Sequence, residues 1–132
     1  MIGVVVVGHG KLASELVKAA EHVVGKQSQM SAIGIYADDD MGERRAEILA
    51  ACQANDTGDG VIILTDMYGG TPSNLATSIM ERGNYEAIAG ANLPMLIKLA
   101  EVRKSETLAR AAFAAQDAAR KFIAVVSSLL AN

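Results

Sequence analysis

The sequence IGVVVVGHG at residues 2–10 decides the fold of this chain. Its first part, Ile2–Val7, is a continuous apolar run rich in β-branched valine. Such a run is typical of a strand that is buried on both faces of a parallel sheet. The run leads into Gly8-His9-Gly10, a histidine between two glycines. In a parallel sheet the end of a strand is where ligands bind, so this histidine is the first candidate functional residue.

Apolar β-branched runs alternate with helical patterns along the rest of the chain. Further strands are predicted at Ala32–Tyr36, Gly60–Thr65 and Tyr85–Ala89, and helices at Lys11–Val24, Met41–Asn55, Pro72–Arg82, Pro94–Val102 and Ser105–Arg120. This alternation predicts an α/β fold with a doubly wound, mainly parallel sheet of four strands and helices on both faces. The apolar run Phe122–Val126 is predicted to form a last strand near the C-terminus.

Length and composition restrict the function before any motif is considered. With 132 residues, the chain is predicted to form a single domain, residues 1–132, with a core of its own. A net charge of −3 without a basic block argues against nucleic-acid binding. One cysteine excludes an internal disulfide and a multi-cysteine metal site. No apolar stretch is long enough to span a bilayer and no basic leader precedes the first strand, so a cytoplasmic protein is expected.

His9 and Asp66 form a candidate reactive pair. The glycines beside His9 leave its imidazole open to close approach, which suits a general base, a metal ligand or a nucleophile. Asp66 ends the third predicted strand, which is expected beside the first. A carboxylate that accepts a hydrogen bond from one ring nitrogen fixes the tautomer and leaves the other nitrogen free to attack. The alternatives are a plain polar loop residue for His9 and a turn cap for Asp66.

The segment GGTPSN at residues 69–74 opens the helix that follows Asp66. Two glycines, a predicted capping hydroxyl from Thr71 and the positive end of the helix together favour a bound anion. A phosphoryl group held there would face the loop that carries His9. A plain glycine turn is equally compatible with this segment taken alone.

Other kinds of site fit parts of the sequence. Gly8–Ala13 matches the G-x-G-x-x-A form of the dinucleotide fingerprint, with Asp38 as a candidate ribose-binding acid, but a histidine in that loop would crowd the pyrophosphate. A phosphate-binding P-loop is excluded, because no Gly-Lys-Ser/Thr follows the strand. A metal site built from His9 and Asp38–Asp40 has no supporting pattern. These aspartates are more typical of a solvated loop and a helix cap, and Asp40 and Glu43 have the spacing of a capping box.

Three motifs in order carry a resemblance to a known family: Gly8–Ala13, Asp66–Asn74 and Gly90–Leu96. Over essentially its whole length the chain resembles the enzyme IIA domain of the mannose family. This domain is a component of the bacterial phosphoenolpyruvate-dependent sugar phosphotransferase system. The resemblance implies a flavodoxin-like sheet with an antiparallel edge strand that is exchanged between the subunits of a homodimer. Phe122–Val126 is the segment suited to that part, because it is apolar and terminal.

The resemblance also implies the site and its partners. His9 would carry the phosphoryl group on Nε2, and Asp66 would bond to the other ring nitrogen. The residues implied to bind the phosphoryl group are Gly69, Gly70, Thr71 and Ser73. The implied donor is an HPr-like histidine phosphocarrier, and the implied acceptor is a IIB protein that passes the group to a sugar during transport. No nucleotide, metal or other cofactor is implied, and contact with a membrane would be indirect, through a transport complex.

Two further functions stay open at this point. The sequence ends without a linker or a fused IIB domain, so the chain is expected to serve a separate IIB protein. Alternatively, it is a stand-alone regulatory protein whose His9 phosphorylation state signals to a partner. A dinucleotide or phospho-metabolite binder built on Gly8–Ala13 is the remaining hypothesis. Met67 and Tyr68, an apolar pair beside Asp66, are a candidate docking surface for a donor protein.

Overall fold

The computed structural model describes residues 1–131, so Asn132, the last residue of the predicted domain, lies outside the described residues. The strands are β1 (Gly3–His9), β2 (Met30–Ile35), β3 (Val61–Thr65) and β4 (Tyr85–Ala89). The helices are α1 (Leu12–Val24), α2 (Met41–Asn55), α3 (Gly70–Ile79), α4 (Leu93–Val102), α5 (Leu108–Lys121) and α6 (Val126–Leu130), with a 3-10 helix at Met80–Arg82.

The four strands form one parallel sheet in the order β2-β1-β3-β4. Val7 of β1 lies opposite Thr65 of β3, so the two central strands end side by side. Every residue of β3 is buried, as is every residue of β1 before His9. The predicted doubly wound, mainly parallel α/β sheet is therefore confirmed.

Alternate residues of the central strands pack on opposite faces of the sheet. Val4 and Val6 belong to a buried layer with α1, α4 and α5. Val5 and Val7 belong to the layer with α2 and α3. Each fully buried side chain of this size contributes about 1.5–3 kcal/mol relative to an exposed one. The end of β1 is therefore fixed from both sides.

The single cysteine lies within the layer formed by α2 and α3. Cys52 is 0% exposed and packs among buried residues such as Ile48 and Ile63. Burial, with a smaller contribution from the charge of Asp56, raises the pKa of the Cys52 thiol to about 12. The thiol therefore stays protonated at neutral pH and is unreactive.

The amino edge of the sheet, where the strands begin, is closed by a buried arginine. Arg103 follows α4 and is 1% exposed. Its Nε donates to the Ile2 carbonyl at 2.9 Å, and its Nη2 donates to the Gln29 carbonyl at 2.5 Å. The Ile2 N–H donates in return to the Arg103 carbonyl at 3.0 Å. Burial lowers the pKa of Arg103. The side chain ties the starts of β1 and β2 to the end of α4.

The C-terminal segment, residues 122–130, differs from the prediction. The strand predicted at Phe122–Val126 is wrong within this chain, because residues 123–125 have no regular structure and α6 begins at Val126. Its large apolar side chains are 65–78% exposed: Phe122, Ile123, Val125, Val126, Leu129 and Leu130. A β-branched run forms a strand only when a neighbouring strand pairs with it. Within residues 1–131 no strand lies beside this segment.

Among the described helices, none combines the length and the apolar character that crossing a membrane requires.

Candidate functional site

The carboxyl edge of the sheet, where the strands end, brings the predicted site residues together. His9 is the last residue of β1, and Asp66 follows β3 directly. Because β1 and β3 are parallel neighbours, both side chains emerge at the same edge. The helix α3 begins shortly after Asp66, so the residues predicted to bind a phosphoryl group lie at this edge as well: Gly69, Gly70, Thr71 and Ser73.

Asp66 holds His9 through two contacts to one carboxylate oxygen. The His9 ring Nδ1 lies 2.7 Å from Asp66 Oδ2, and the His9 backbone N–H donates to the same oxygen at 2.8 Å. An ionised carboxylate can only accept, so Nδ1 carries the proton and Nε2 of the neutral ring keeps its lone pair. The His9 side chain is 55% exposed, whereas the Asp66 side chain is 9% exposed. The buried acid thus orients a ring that is open to solvent.

The carboxylate of Asp66 is ionised at neutral pH. Burial alone would raise the pKa of Asp66, but the hydrogen bonds from the His9 backbone and ring, with the His9 charge, outweigh it and lower the pKa below the ordinary value of 3.8. Its second oxygen, Oδ1, is buried without a hydrogen-bond partner among residues 1–131. The negative charge of Asp66 is therefore directed at His9, where it can stabilise a cationic ring.

Glycines leave space around this pair. A Cβ atom at Gly8 would lie 3.4 Å from Asp66 Oδ2. A Cβ atom at Gly70 would lie 3.7 Å from His9 Cε1 and 3.8 Å from His9 Nε2. Gly69 and Gly70 have φ angles of +84° and +82°, which other residues rarely adopt. The backbone at the first residue of α3 therefore approaches the Nε2 side of the imidazole, and a side chain at position 70 would narrow that space.

The start of α3 differs in one respect from the prediction. Thr71 is not the helix cap, because Gly69 is the N-cap residue and no side chain bonds to the first turn as a cap. The glycine turn starts the helix earlier than the predicted Pro72, and Ser73 is 6% exposed. N–H groups in a first turn lack intrahelical partners, and no acidic side chain lies in this turn. This helix end can therefore accept an anion.

The acidic turn after β2 has a structural part. The Asp40 carboxylate accepts from the Glu43 N–H at 3.0 Å and caps α2, as the capping-box spacing predicts. The Asp39 carboxylate accepts from the Tyr36 N–H at 2.8 Å. Within residues 1–131, no group of three or more His, Cys, Asp and Glu side chains is arranged to hold a metal ion.

Tyr36 borders the site and was not a candidate on sequence grounds. A Cβ atom at Gly34 would lie 3.4 Å from its ring, and one at Gly10 would lie 4.0 Å from it. The ring therefore lies against the backbone next to His9, and it is 49% exposed. Met67 and Tyr68 are 56% and 87% exposed on the loop that follows Asp66. The only sequence signal for Tyr36 was its place as the last residue of the predicted strand Ala32–Tyr36.

A comparison with protein families matches residues 3–116 to EIIA-man, described as the PTS system fructose IIA component, where PTS denotes the phosphotransferase system. The match includes β1 to β4 and both members of the His9–Asp66 pair. The chain belongs to the EIIA-man family. This confirms the resemblance that the three motifs carry.

Curated relatives of this EIIA-man chain include longer proteins. The PTS system mannose-specific EIIAB component of Escherichia coli (strain K12) is 33% identical over 106 residues, which are 80% of this chain and 33% of the relative. The chain thus spans about a third of that protein's length. The PTS system fructose-specific EIIA component of Bacillus subtilis is 28% identical over 105 residues, 79% of this chain and 72% of the relative.

Solved structures support the fold of the EIIA-man chain. The phosphotransferase system component EIIA from Streptococcus agalactiae matches with a TM-score of 0.88 and 21% identity, covering 97% of this chain and 99% of that one. The mannose/sorbose specific IIA subunit from Enterococcus faecalis matches with a TM-score of 0.83 and 24% identity, covering 94% and 93%. At such identities the likeness establishes the fold.

Proposed function

We propose that this chain is a phosphocarrier that accepts a phosphoryl group on Nε2 of His9 and passes it to another protein. The observation that carries the proposal is the 2.7 Å contact between His9 Nδ1 and Asp66 Oδ2. This contact keeps the proton on Nδ1 and leaves Nε2 as the nucleophile. The exposure of the ring gives a donor protein access to it.

In the transfer step, the Nε2 lone pair of neutral His9 attacks the phosphorus atom of a donor phosphohistidine in line. The new N–P bond forms as the donor N–P bond breaks, and the electron pair of the broken bond returns to the donor ring. His9 keeps its Nδ1 proton, and the positive charge that its ring gains is stabilised by Asp66. In the onward transfer His9 is the donor: a nucleophile of the acceptor protein attacks the phosphorus atom in line, and the electron pair of the breaking N–P bond returns to Nε2 of His9.

The start of α3 is proposed to hold the transferred oxygens. The residues proposed for this are Gly69, Gly70, Thr71 and Ser73. Backbone N–H groups of a helix start are oriented before the reaction, so little reorganisation accompanies transfer. The helix-end charge contributes only about 0.3–1 kcal/mol at an exposed site. Hydrogen bonds from the backbone N–H groups and from the Thr71 hydroxyl are proposed to supply the rest of the free energy that holds the phosphoryl oxygens.

The proposed partners follow the family resemblance. An HPr-like histidine phosphocarrier is the donor, and a separate IIB protein is the acceptor that passes the group on during sugar uptake. The proposed assembly is a cytoplasmic homodimer that exchanges the C-terminal segment. The apolar exposure of that segment supports the exchange, since a monomer leaves it uncovered.

The first test is phosphorylation of the intact chain by phosphoenolpyruvate, enzyme I and HPr, read as intact mass before and after mild acid. The expected result is a gain of one phosphoryl group that acid removes. His9→Ala should abolish the gain. His22→Ala is the matched control, because His22 is the other of two histidines and is exposed on α1. An unphosphorylated chain that instead binds NAD, NADP or FMN after His9→Ala would favour the dinucleotide hypothesis.

The acceptor is tested by mixing the phosphorylated chain with a IIB protein from the same organism. The expected result is loss of the phosphoryl group from this chain and its gain by the IIB protein. If no IIB protein accepts the group while another protein binds only one of the two forms, the regulatory function replaces the transport function. His9→Ala cannot make this distinction, because both functions need His9.

A further inference from the structure

The turn after β4, residues 90–92, opens the third sequence motif, Gly90–Leu96, which the proposed transfer step leaves without a part. The backbone N–H groups of Gly90 and Ala91 both donate to the Thr65 carbonyl, each at 2.9 Å. Gly90 has a φ angle of +93°, which other residues rarely adopt. A positive φ next to a residue of ordinary backbone conformation lets consecutive N–H groups converge. Here they converge on one carbonyl oxygen at the end of β3.

The Thr65 carbonyl belongs to the same peptide unit as the Asp66 nitrogen. Because a peptide unit is planar, the two bonds to this carbonyl orient the plane that leads into Asp66. The two hydrogen bonds that the Asp66 carboxylate accepts within residues 1–131 come from His9, and its Oδ1 has no partner there. The position of the carboxylate therefore depends on how firmly the backbone of residue 66 is held. The turn after β4 supplies part of that hold.

Asn92 ties this turn to the helices of the same layer. Its Oδ1 accepts from the Met95 N–H at 3.1 Å and caps α4, and its Nδ2 donates to the Ala119 carbonyl at 3.0 Å. Ala119 lies in the last turn of α5, where carbonyls lack intrahelical donors. A residue that only capped α4 would need the oxygen alone. The amide nitrogen of Asn92 thus fixes the turn against the end of α5.

We propose that Asn92 is a positioning residue for phosphoryl transfer. By holding the turn after β4 against α5, it keeps the two N–H groups on the Thr65 carbonyl and thereby keeps the Asp66 carboxylate in contact with His9 Nδ1. Its own hydrogen bonds lie outside the site, so it acts through the backbone. The inference rests on the proposed function and deepens it, because it gives the third motif a part in setting the tautomer of the reactive ring.

The first experiment measures the phosphorylation of His9 by phosphorylated HPr in Asn92→Ser. Serine caps a helix as well as asparagine does, but its short side chain removes the donor to the Ala119 carbonyl. We expect kcat to fall about tenfold with KM unchanged, because small misplacements of reacting groups have effects of this size or larger and the surface that meets the donor is kept.

Thr107→Ala is the matched control for the first experiment. The Thr107 hydroxyl caps α5 by accepting from the Arg110 N–H, at the opposite end of that helix from Ala119. Its removal should lower the stability of the chain, as the loss of a helix cap does. The rate of phosphorylation should stay at the wild-type value, because the turn after β4 keeps its bonds.

The second experiment determines the tautomer of His9 by NMR of its ring nitrogens, in the unphosphorylated chain in mildly alkaline solution. The wild type should show a protonated Nδ1 and an unprotonated Nε2, as the contact with Asp66 requires. Asn92→Ser should show a substantial population with the proton on Nε2, whereas Thr107→Ala should match the wild type. A loss of stability alone does not produce this change, because the folded chain is observed.

Gly90→Ala tests the turn without altering Asn92. Beyond its chain neighbours, no atom of residues 1–131 lies within 4 Å of the Cβ position at Gly90, so the substitution acts through the φ angle of +93°. Both kcat and the tautomer should change in the same direction as in Asn92→Ser. Gly25→Ala, with a φ of +87° and an equally open Cβ position, controls for the strain and should keep the rate and the tautomer of the wild type.

The outcomes separate this inference from the proposed function. A full rate and an unchanged tautomer in both Asn92→Ser and Gly90→Ala would overturn the inference alone. A rise in KM with unchanged kcat would also overturn it and would assign the turn to donor binding. If Asn92→Ser does not fold, Gly90→Ala decides through the same two measurements. A wild-type chain that is not phosphorylated would overturn the proposed function and the inference with it.

Discussion

Each edge of the sheet has a polar side chain with little exposure, Arg103 at the amino edge and Asp66 at the carboxyl edge, and the two differ in what they bond to. At the amino edge, Arg103 is 1% exposed and donates to the backbone carbonyls of Ile2 and Gln29 and to the side chain of Gln27. At the carboxyl edge, the Asp66 side chain is 9% exposed, and the two hydrogen bonds that it accepts within residues 1–131 come from His9, whose side chain is 55% exposed. The polar contacts of the amino edge are therefore shielded from solvent, whereas at the carboxyl edge His9, the partner of Asp66, stays open to solvent.

This difference shows how one fold separates stability from reactivity. The Arg103 bonds join three elements, and at 1% exposure the side chain is out of reach of a ligand. The Asp66 bonds join only the ends of two strands that the core already holds, and they set the tautomer of an accessible ring. Substitutions at the amino edge should therefore change the free energy of unfolding, and substitutions at the carboxyl edge should change the rate of phosphoryl transfer.

The largest effect is expected for Arg103→Met. Removing the guanidinium takes the side-chain donor away from the Ile2 carbonyl and one of two donors away from the Gln29 carbonyl, which keeps the Val4 N–H. The free energy of unfolding should therefore fall by about 3 kcal/mol. Denaturant unfolding measures this, with Lys104→Met as the exposed neighbouring control. The rate of phosphorylation per folded molecule should stay the same. If the free energy of unfolding falls by less than about 1 kcal/mol, the amino edge does not have the special part in stability that separates it here from the carboxyl edge.

The next effect is expected for Asp66→Asn. An amide can bond to His9 but cannot stabilise its cation or enforce the tautomer, so the phosphorylation rate should fall about a hundredfold or more. Initial rates with phosphorylated HPr measure this. Asp38→Asn, an exposed acid at the same edge, should leave the rate unchanged. An equal fall in both variants would mean that the net charge of this edge matters, and not the contact with His9.

A smaller effect is expected for Gly70→Ala. The φ angle of +82° strains any side chain, and the added methyl group lies beside His9 Nε2, so the rate should fall about tenfold and stability by about 1 kcal/mol. Gly25→Ala is the matched control, because Gly25 has a φ of +87° with nothing near its Cβ position. The control should lose similar stability and keep the full rate. If Gly70→Ala also keeps the full rate of phosphorylation, the space beside Gly70 does not matter for phosphoryl transfer.

The smallest effect is a pH dependence of stability. The pKa of Asp66 lies below its ordinary value of 3.8, because the His9 hydrogen bonds outweigh the effect of burial. Its ionised form therefore stabilises the fold at every pH above that value, and this contribution is lost as the pH falls through the lower folded-state pKa. Denaturant unfolding of the wild type and Asp66→Asn at a series of pH values measures it. The difference between them should be constant near neutral pH and shrink in strong acid, whereas a difference that disappears near pH ~6 would point to another group.

Much of the carboxyl edge could be predicted from the sequence. The apolar run before His9 and the run before Asp66 identify two central strands, and parallel pairing then places both residues at one edge. The amino edge could not be predicted, because Arg103 and Ile2 lie 101 positions apart in the sequence. Nothing near Arg103 in the sequence signals that its side chain is buried.

Two predictions from the sequence were wrong, the Thr71 helix cap and the strand at Phe122–Val126, and both failed for the same physical reason. Thr71 has the right chemistry for a helix cap, but the paired glycines start the helix first. Phe122–Val126 has the right composition for a strand, but a strand also needs a partner, and the described chain offers none. In both places local propensity was correct for the residue type, and the surrounding backbone decided the outcome.

The burial of Cys52 makes this protein a convenient host for site-specific labelling. Cys52 is 0% exposed, and burial raises the pKa of its thiol to about 12, so the thiol stays protonated at neutral pH and thiol-reactive dyes should not label it. A cysteine introduced at Ser127 in the C-terminal segment would then be the one reactive thiol among 132 residues. A dye at that position can report, in an otherwise unaltered chain, whether two copies associate.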